Sequence, residues 1–105
     1  MICIIVEGRS DKLKLEQVLA QEAVILCTNG TISEDALLEL LEPYEYLDFY
    51  TLFDADKSGD KLRKLMKSVY SDAVQLEIPK QYLEVANTPK EVLAVLLNEL
   101  KIKTK

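Results

Sequence analysis

The chain has 105 residues and a mass of 11.9 kDa, a size that supports one domain around a modest core. Its apolar share of 49%, with only 3 Gly and 3 Pro, excludes fibrous, low-complexity and disordered classes. With 18 acidic against 13 basic residues the net charge is −5, opposite to the usual balance of a non-specific nucleic-acid binder, and the absence of histidine removes His-zinc, Ser-His-acid and Cys-His chemistry.

No apolar run reaches membrane-spanning length, and the opening MICIIVEG lacks a basic leader, so a cytoplasmic protein without a membrane partner is expected. Residues 1–6 form a nearly continuous apolar, β-branched run, the pattern of a strand covered on both faces. Glu7-Gly8 ends it. Ser10 or Asp11 can cap a helix over residues 11–21, with Leu15, Val18 and Leu19 as its apolar stripe. Residues 23–27 are a second strand, closed by Thr28-Asn29-Gly30. Cys3 and Cys27 lie inside these apolar runs and read as small hydrophobes, not as a disulfide or metal pair.

Thr31 and Glu34 have capping-box spacing before a second helix, with Ala36, Leu37, Leu40 and Leu41 inward and Pro43 as its stop. Residues 46–53 give a third strand. A third helix begins near Gly59, with Ser58 as a possible cap and Leu62, Leu65, Met66 and Val69 as its face. Residues 74–78 read as a fourth strand, and residues 80–87 as either a short strand or an irregular crossover. Thr88 as cap, Pro89 at the first helical position and Glu91 three residues past the cap start a last helix, buried through Val92, Val95, Leu96 and Leu100. The expected arrangement is a single domain over residues 1–100, with residues 101–105 as a frayed basic tail. Helix-length connectors favour parallel strands with right-handed crossovers, hence a three-layer α/β domain.

The chemistry gathers at strand ends. Glu7 follows the first apolar run, and Asp54 and Asp56 follow the third in YTLFDADKSGD. A strand order of 2-1-3-4 would place all three carboxylates at one sheet edge, a natural setting for a hard divalent cation. The same D-x-D also suits a solvated strand-to-helix turn, and Asp60 suits the positive end of a helix dipole. A calcium loop fails, because Lys61 and Leu65 stand at its eighth and twelfth positions. Neither an ATP-loop nor a dinucleotide motif is present. Gly8, Gly30 and Gly59 follow apolar runs and could admit phosphate oxygens near helix starts, with Arg9, Asn29 and Lys57 as candidate phosphate contacts. Lys12, Lys61, Arg63 and Lys64 could guide a phosphodiester or serve only as solvated helix charges.

The segments VEGRSD at residues 6–11, TNG at 28–30 and DADKSGDKLR at 54–63 together resemble the Toprim superfamily, the domain shared by bacterial primases, topoisomerases, recombination-repair proteins and the nuclease that matures 5S ribosomal RNA. The chain looks most like the small, nearly stand-alone Toprim proteins, with that nuclease's amino-terminal domain as the nearest functional relative. The resemblance runs from Met1 to about residue 78 and can extend through the last helix. It implies Mg²⁺, or Mn²⁺, held by Asp54 and Asp56, with Glu7 serving acid-base work or placing metal. Asp60 stands where one version of the motif has Glu, implying an outer or additional metal contact. The functions implied are Mg-dependent phosphodiester hydrolysis or transfer on RNA or DNA, or a noncatalytic metal- and nucleic-acid-binding or assembly module, alone, as a homodimer or with a larger protein partner.

Overall fold

A computed structural model describes all 105 residues. Four strands alternate with helices: β1 (Ile2–Val6), α1 (Arg9–Val18), β2 (Ala23–Cys27), α2 (Glu34–Leu41), β3 (Asp48–Phe53), α3 (Lys57–Val69), β4 (Val74–Glu77) and α4 (Lys90–Glu99). The strands form one all-parallel sheet of order β2-β1-β3-β4, the order the acidic-edge reading requires.

The layers follow from the two-residue period of β1, whose side chains alternate between faces. Ile2, Ile4 and Val6 pack with Leu15, Val18, Leu93 and Leu97 beneath α1 and α4. Cys3 and Ile5 turn the other way, onto Leu37, Leu41, Leu62 and Met66 of α2 and α3. All five β1 residues are therefore buried, which is why this strand reads as continuous apolar sequence. Both cysteines are free thiols, and no helix is long and apolar enough to cross a membrane.

Several expectations shift. Tyr46 lies outside β3 and is exposed, because residues 42–47 make a short 3₁₀ turn and its exit before the strand begins. Helix α1 starts two residues early, at Arg9. Gly8 is its N-cap, and Asp11 reaches back to accept from the Gly8 N–H at 3.0 Å. Ser33, not Thr31, caps α2 by accepting from the Ala36 N–H, and Asp56, not Ser58, caps α3. Residues 80–87 are an irregular crossover containing two 3₁₀ turns. Helix α4 buries Leu93 and Leu97 and leaves Val95 exposed, and Thr88 spends its hydroxyl on the Glu84 carbonyl instead of capping.

The tail does not fray. Ile102 is 3% exposed inside the α1/α4 core, Thr104 bridges Leu19, and the Ala20 N–H donates to the Lys103 carbonyl at 2.9 Å. The basic residues stay outside while the one apolar residue of KIKTK is buried.

Candidate metal centre

The β1–β3 register pairs Ile5 with Thr51, so carried two residues on it brings Glu7, one residue past β1, level with Phe53 at the end of β3. Its Oε2 accepts from the Asp54 N–H at 2.8 Å, which joins the two strand tips directly. Glu7 is 8% exposed, and its carboxyl is pushed up to about 7. Burial is the main cause, and the Asp54 and Asp56 carboxylates add to it while the Asp54 N–H opposes it.

Asp54 turns its Oδ1 to the Val85 N–H at 2.8 Å, and Asp56 turns its Oδ1 to the Gly59 N–H at 2.8 Å as the N-cap of α3. The D-x-D spacing works because the chain leaves the strand between the two acids. Asp54 remains at the sheet edge, while Asp56 closes the next helix. Gly59 makes this possible: a Cβ there would lie 1.8 Å from the Asp54 carbonyl oxygen, so only glycine lets α3 start against the strand tip.

The chemistry fits a hard divalent cation, since three carboxylates of one charge face the same sheet edge and supply only oxygen. No protein N–H donates to the second oxygen of Glu7, Asp54 or Asp56, and the Glu7 and Asp54 carboxyls lie within hydrogen-bonding reach of each other when one carries a proton. The site is not a finished cage: no group of three acidic or thiol side chains is yet close enough to hold an ion.

Asp60 stands apart. It is exposed, pairs with Arg63 on the next helical turn, and its carboxyl is held below the usual range mainly by that hydrogen bond. Arg63 also donates to the Asp54 carbonyl at 3.1 Å, so it ties α3 to the strand tip. Among the candidate phosphate contacts, Arg9 and Lys57 are exposed at the starts of α1 and α3, while the Gly8 and Gly59 N–H groups are taken by Asp11 and Asp56. Asn29 and Gly30 take left-handed backbone angles, φ 61° and 97°, and their N–H groups point to the Glu7 carbonyl at 2.7 and 3.3 Å. They fold the β2 exit over the tip of β1.

Two parts of the site carry no motif. Asp11 is 5% exposed and its carboxyl is raised, by burial first and then by Asp54, so it is a fourth acid behind the edge. Its signal was its position four residues after Glu7, inside the first turn of α1. The other is the crossover after β4. Leu83, at φ 61° and ψ −51°, makes a γ-turn that sends its carbonyl to the Ala55 N–H at 2.7 Å, two residues before Val85 meets Asp54. An apolar residue in this conformation is strained, and the strain sits against the D-x-D segment.

An all-parallel 2-1-3-4 sheet with Glu after β1 and D-x-D after β3 defines a Toprim domain. The Toprim domain family matches residues 2–88, and the chain belongs to that family. It is 47% identical over 94 residues to the uncharacterized protein YusF of Bacillus subtilis (strain 168); the match covers 90% of this chain and 64% of that longer one. Among solved structures it is similar to a small TOPRIM domain protein from Bacillus stearothermophilus, with a TM-score of 0.93 and 45% identity over 98% of this chain and 87% of the other. The chain thus carries a Toprim domain over most of its length.

Proposed function

We propose that this Toprim domain performs Mg²⁺-dependent phosphodiester hydrolysis or transfer on RNA or DNA, with Glu7, Asp54 and Asp56 as its working acids. The observation that carries the reading is the bond from the Asp54 N–H to Glu7, which unites two acids 47 residues apart at the sheet edge. Asp54 and Asp56 would hold Mg²⁺ or Mn²⁺ through their free oxygens. The bound ion would polarise a phosphoryl oxygen and offset its developing charge. Glu7, whose carboxyl titrates near neutral pH, suits moving a proton to or from the attacking or leaving oxygen. Arg9 and Lys57, exposed at the two helix starts, would meet the flanking phosphates. Cytoplasmic RNA processing, as in the 5S ribosomal-RNA maturation nuclease, belongs to this reading.

One observation favours a second reading, a noncatalytic metal- and nucleic-acid-binding module: the acids do not yet form a cage, and Asp54 and Asp56 both serve backbone N–H groups. Calorimetric titration of Mg²⁺ and Mn²⁺ into wild type and Asp54→Asn/Asp56→Asn, followed by assays on single-stranded, duplex and structured RNA and DNA, separates the two. Binding lost in the double variant, with metal-dependent cleavage lost in Glu7→Gln, supports catalysis. Metal binding without cleavage of any substrate supports the module. No binding to either protein removes both.

A further inference from the structure

A cavity of about 600 Å³, within the size range of small-molecule sites, flanks the acidic edge on its β4 side. Strands β3 and β4 pair as far as Phe53 and Glu77; the chain then leaves β3 for α3 and β4 for the crossover. The cavity lies between these two exits. Residues 55–57 and the first turns of α3 line one side, and residues 77–80 line the other. Asp56 belongs both to this cavity and to the acidic edge.

The cavity carries charges of both signs, and they sort into two groups. Arg63 engages the acids: its guanidinium pairs with Asp60, lies 3.8 Å from Glu77 and also donates to the Asp54 carbonyl. Asp56 accepts from the Gly59 N–H and is the acid assigned above to the metal. Lys57 and Lys80 are left over. Both are exposed, they face the cavity from opposite sides, and neither makes an ion pair. Helix α3 gains nothing from Lys57, because a cation at the first residue of a helix opposes the dipole. Ala55, Ile78 and Pro79 add an apolar wall.

We propose that this cavity seats one nucleotide of a single strand, the neighbour of the phosphodiester held at the acidic edge. Its phosphate lies between Lys57 and Lys80, and its sugar and unpaired base rest against Ala55 and Pro79. The inference rests on the reading of that edge as a phosphodiester site, and it names the form of the substrate. A duplex keeps its bases paired and stacked, so it cannot lodge a lone nucleotide between two chain segments without first unpairing it. No aromatic ring lines the cavity, so binding draws on phosphate charge and shape and carries little sequence preference.

Fluorescence anisotropy with a short labelled single strand, RNA and DNA in turn, tests this in Mg²⁺ and again in EDTA. Wild type should bind the single strand about tenfold or more tighter than the duplex of the same sequence, the difference being the cost of unpairing. Lys57→Ala and Lys80→Ala should each weaken binding and flatten the slope of log affinity against log salt by about 0.7, the share of one phosphate contact. Lys67→Ala, in the last turn of the same helix and outside the cavity, should leave the slope unchanged. Thermal unfolding of Lys57→Ala should match or exceed wild type, so its lost binding is not lost folding. A single strand bound equally by all four proteins overturns the cavity and leaves the reading of the acidic edge standing. So does a duplex bound as tightly as the single strand, or a Lys67→Ala slope that falls as far as the others. No binding of any strand, with or without metal, ends this inference together with the reading it rests on.

Discussion

Glu7 shows how one buried carboxylate couples stability to pH. Its pKa stands near 7 in the folded chain and in the ordinary carboxyl range when unfolded, so between those values the folded state binds more protons. Stability therefore falls as pH rises through that window, and the penalty is complete above about 7. Glu7→Gln keeps an acceptor for the Asp54 N–H and removes the charge. Its urea-unfolding stability should match wild type near pH 4 and exceed it at pH 8 by on the order of 1–3 kcal/mol. Without the titration, the two proteins would differ by the same amount at both pH values. Gly59→Ala is the opposite case. Alanine is about 1 kcal/mol better than glycine inside a helix, yet here its Cβ would meet backbone. Because that Cβ would fall 1.8 Å from the Asp54 oxygen, the start of α3 must move, and a net loss of more than about 2 kcal/mol is expected in thermal or urea unfolding.

At the level of elements, helix α3 and the proposed metal centre share Asp56, and the two roles can be separated. Asp56→Asn retains a side-chain oxygen for the Gly59 N–H and should leave stability within about 0.5 kcal/mol of wild type while Mg²⁺ affinity drops. Asp56→Ala should lose the affinity and about 1 kcal/mol of stability as well. Calorimetry and urea unfolding on the same pair of variants check both. The position of Asp56 was legible from its spacing, but its capping role was not, because Ser58 offers an equally good oxygen two residues later. The same competition displaced other helix starts: Ser10, Asp11 and Thr31 are all competent caps, yet Gly8 and Ser33 take the cap positions. The buried face of helix α4 differs for another reason. The unbroken run VLAVLL at residues 92–97 supports more than one buried stripe, and packing chose the one through Leu93 and Leu97. Glu7 and Asp54 were legible because each ends an apolar run whose parallel pairing is nearly forced by its helix-length connector. Asp11 and the 80–87 crossover lacked any such periodic frame.

On the scale of the whole molecule, the sheet separates two cores of unequal construction. The α2/α3 side is closed by consecutive elements, whereas the α1/α4 side draws in Val85 from the crossover and Ile102 from the last turn of chain. That second core also carries the crossover whose Val85 N–H holds Asp54, so tail packing and site geometry share a wall. Ile102 itself lies well away from the carboxylates in sequence, and its side chain contributes through burial while its N–H donates to the Leu97 carbonyl at 3.1 Å. Ile102→Ala should cost about 2–4 kcal/mol of unfolding free energy, the usual range for emptying a buried isoleucine site. If the tail only seals the core, Mg²⁺ affinity in the folded variant stays at the wild-type value. If α4 and the crossover move as a unit when Ile102 is lost, Asp54 loses its Val85 partner and the affinity changes together with stability. The independent anchors of Asp54 through Glu7 and Arg63 favour the first outcome. Calorimetry on the variant, at a temperature where circular dichroism shows it folded, decides between them.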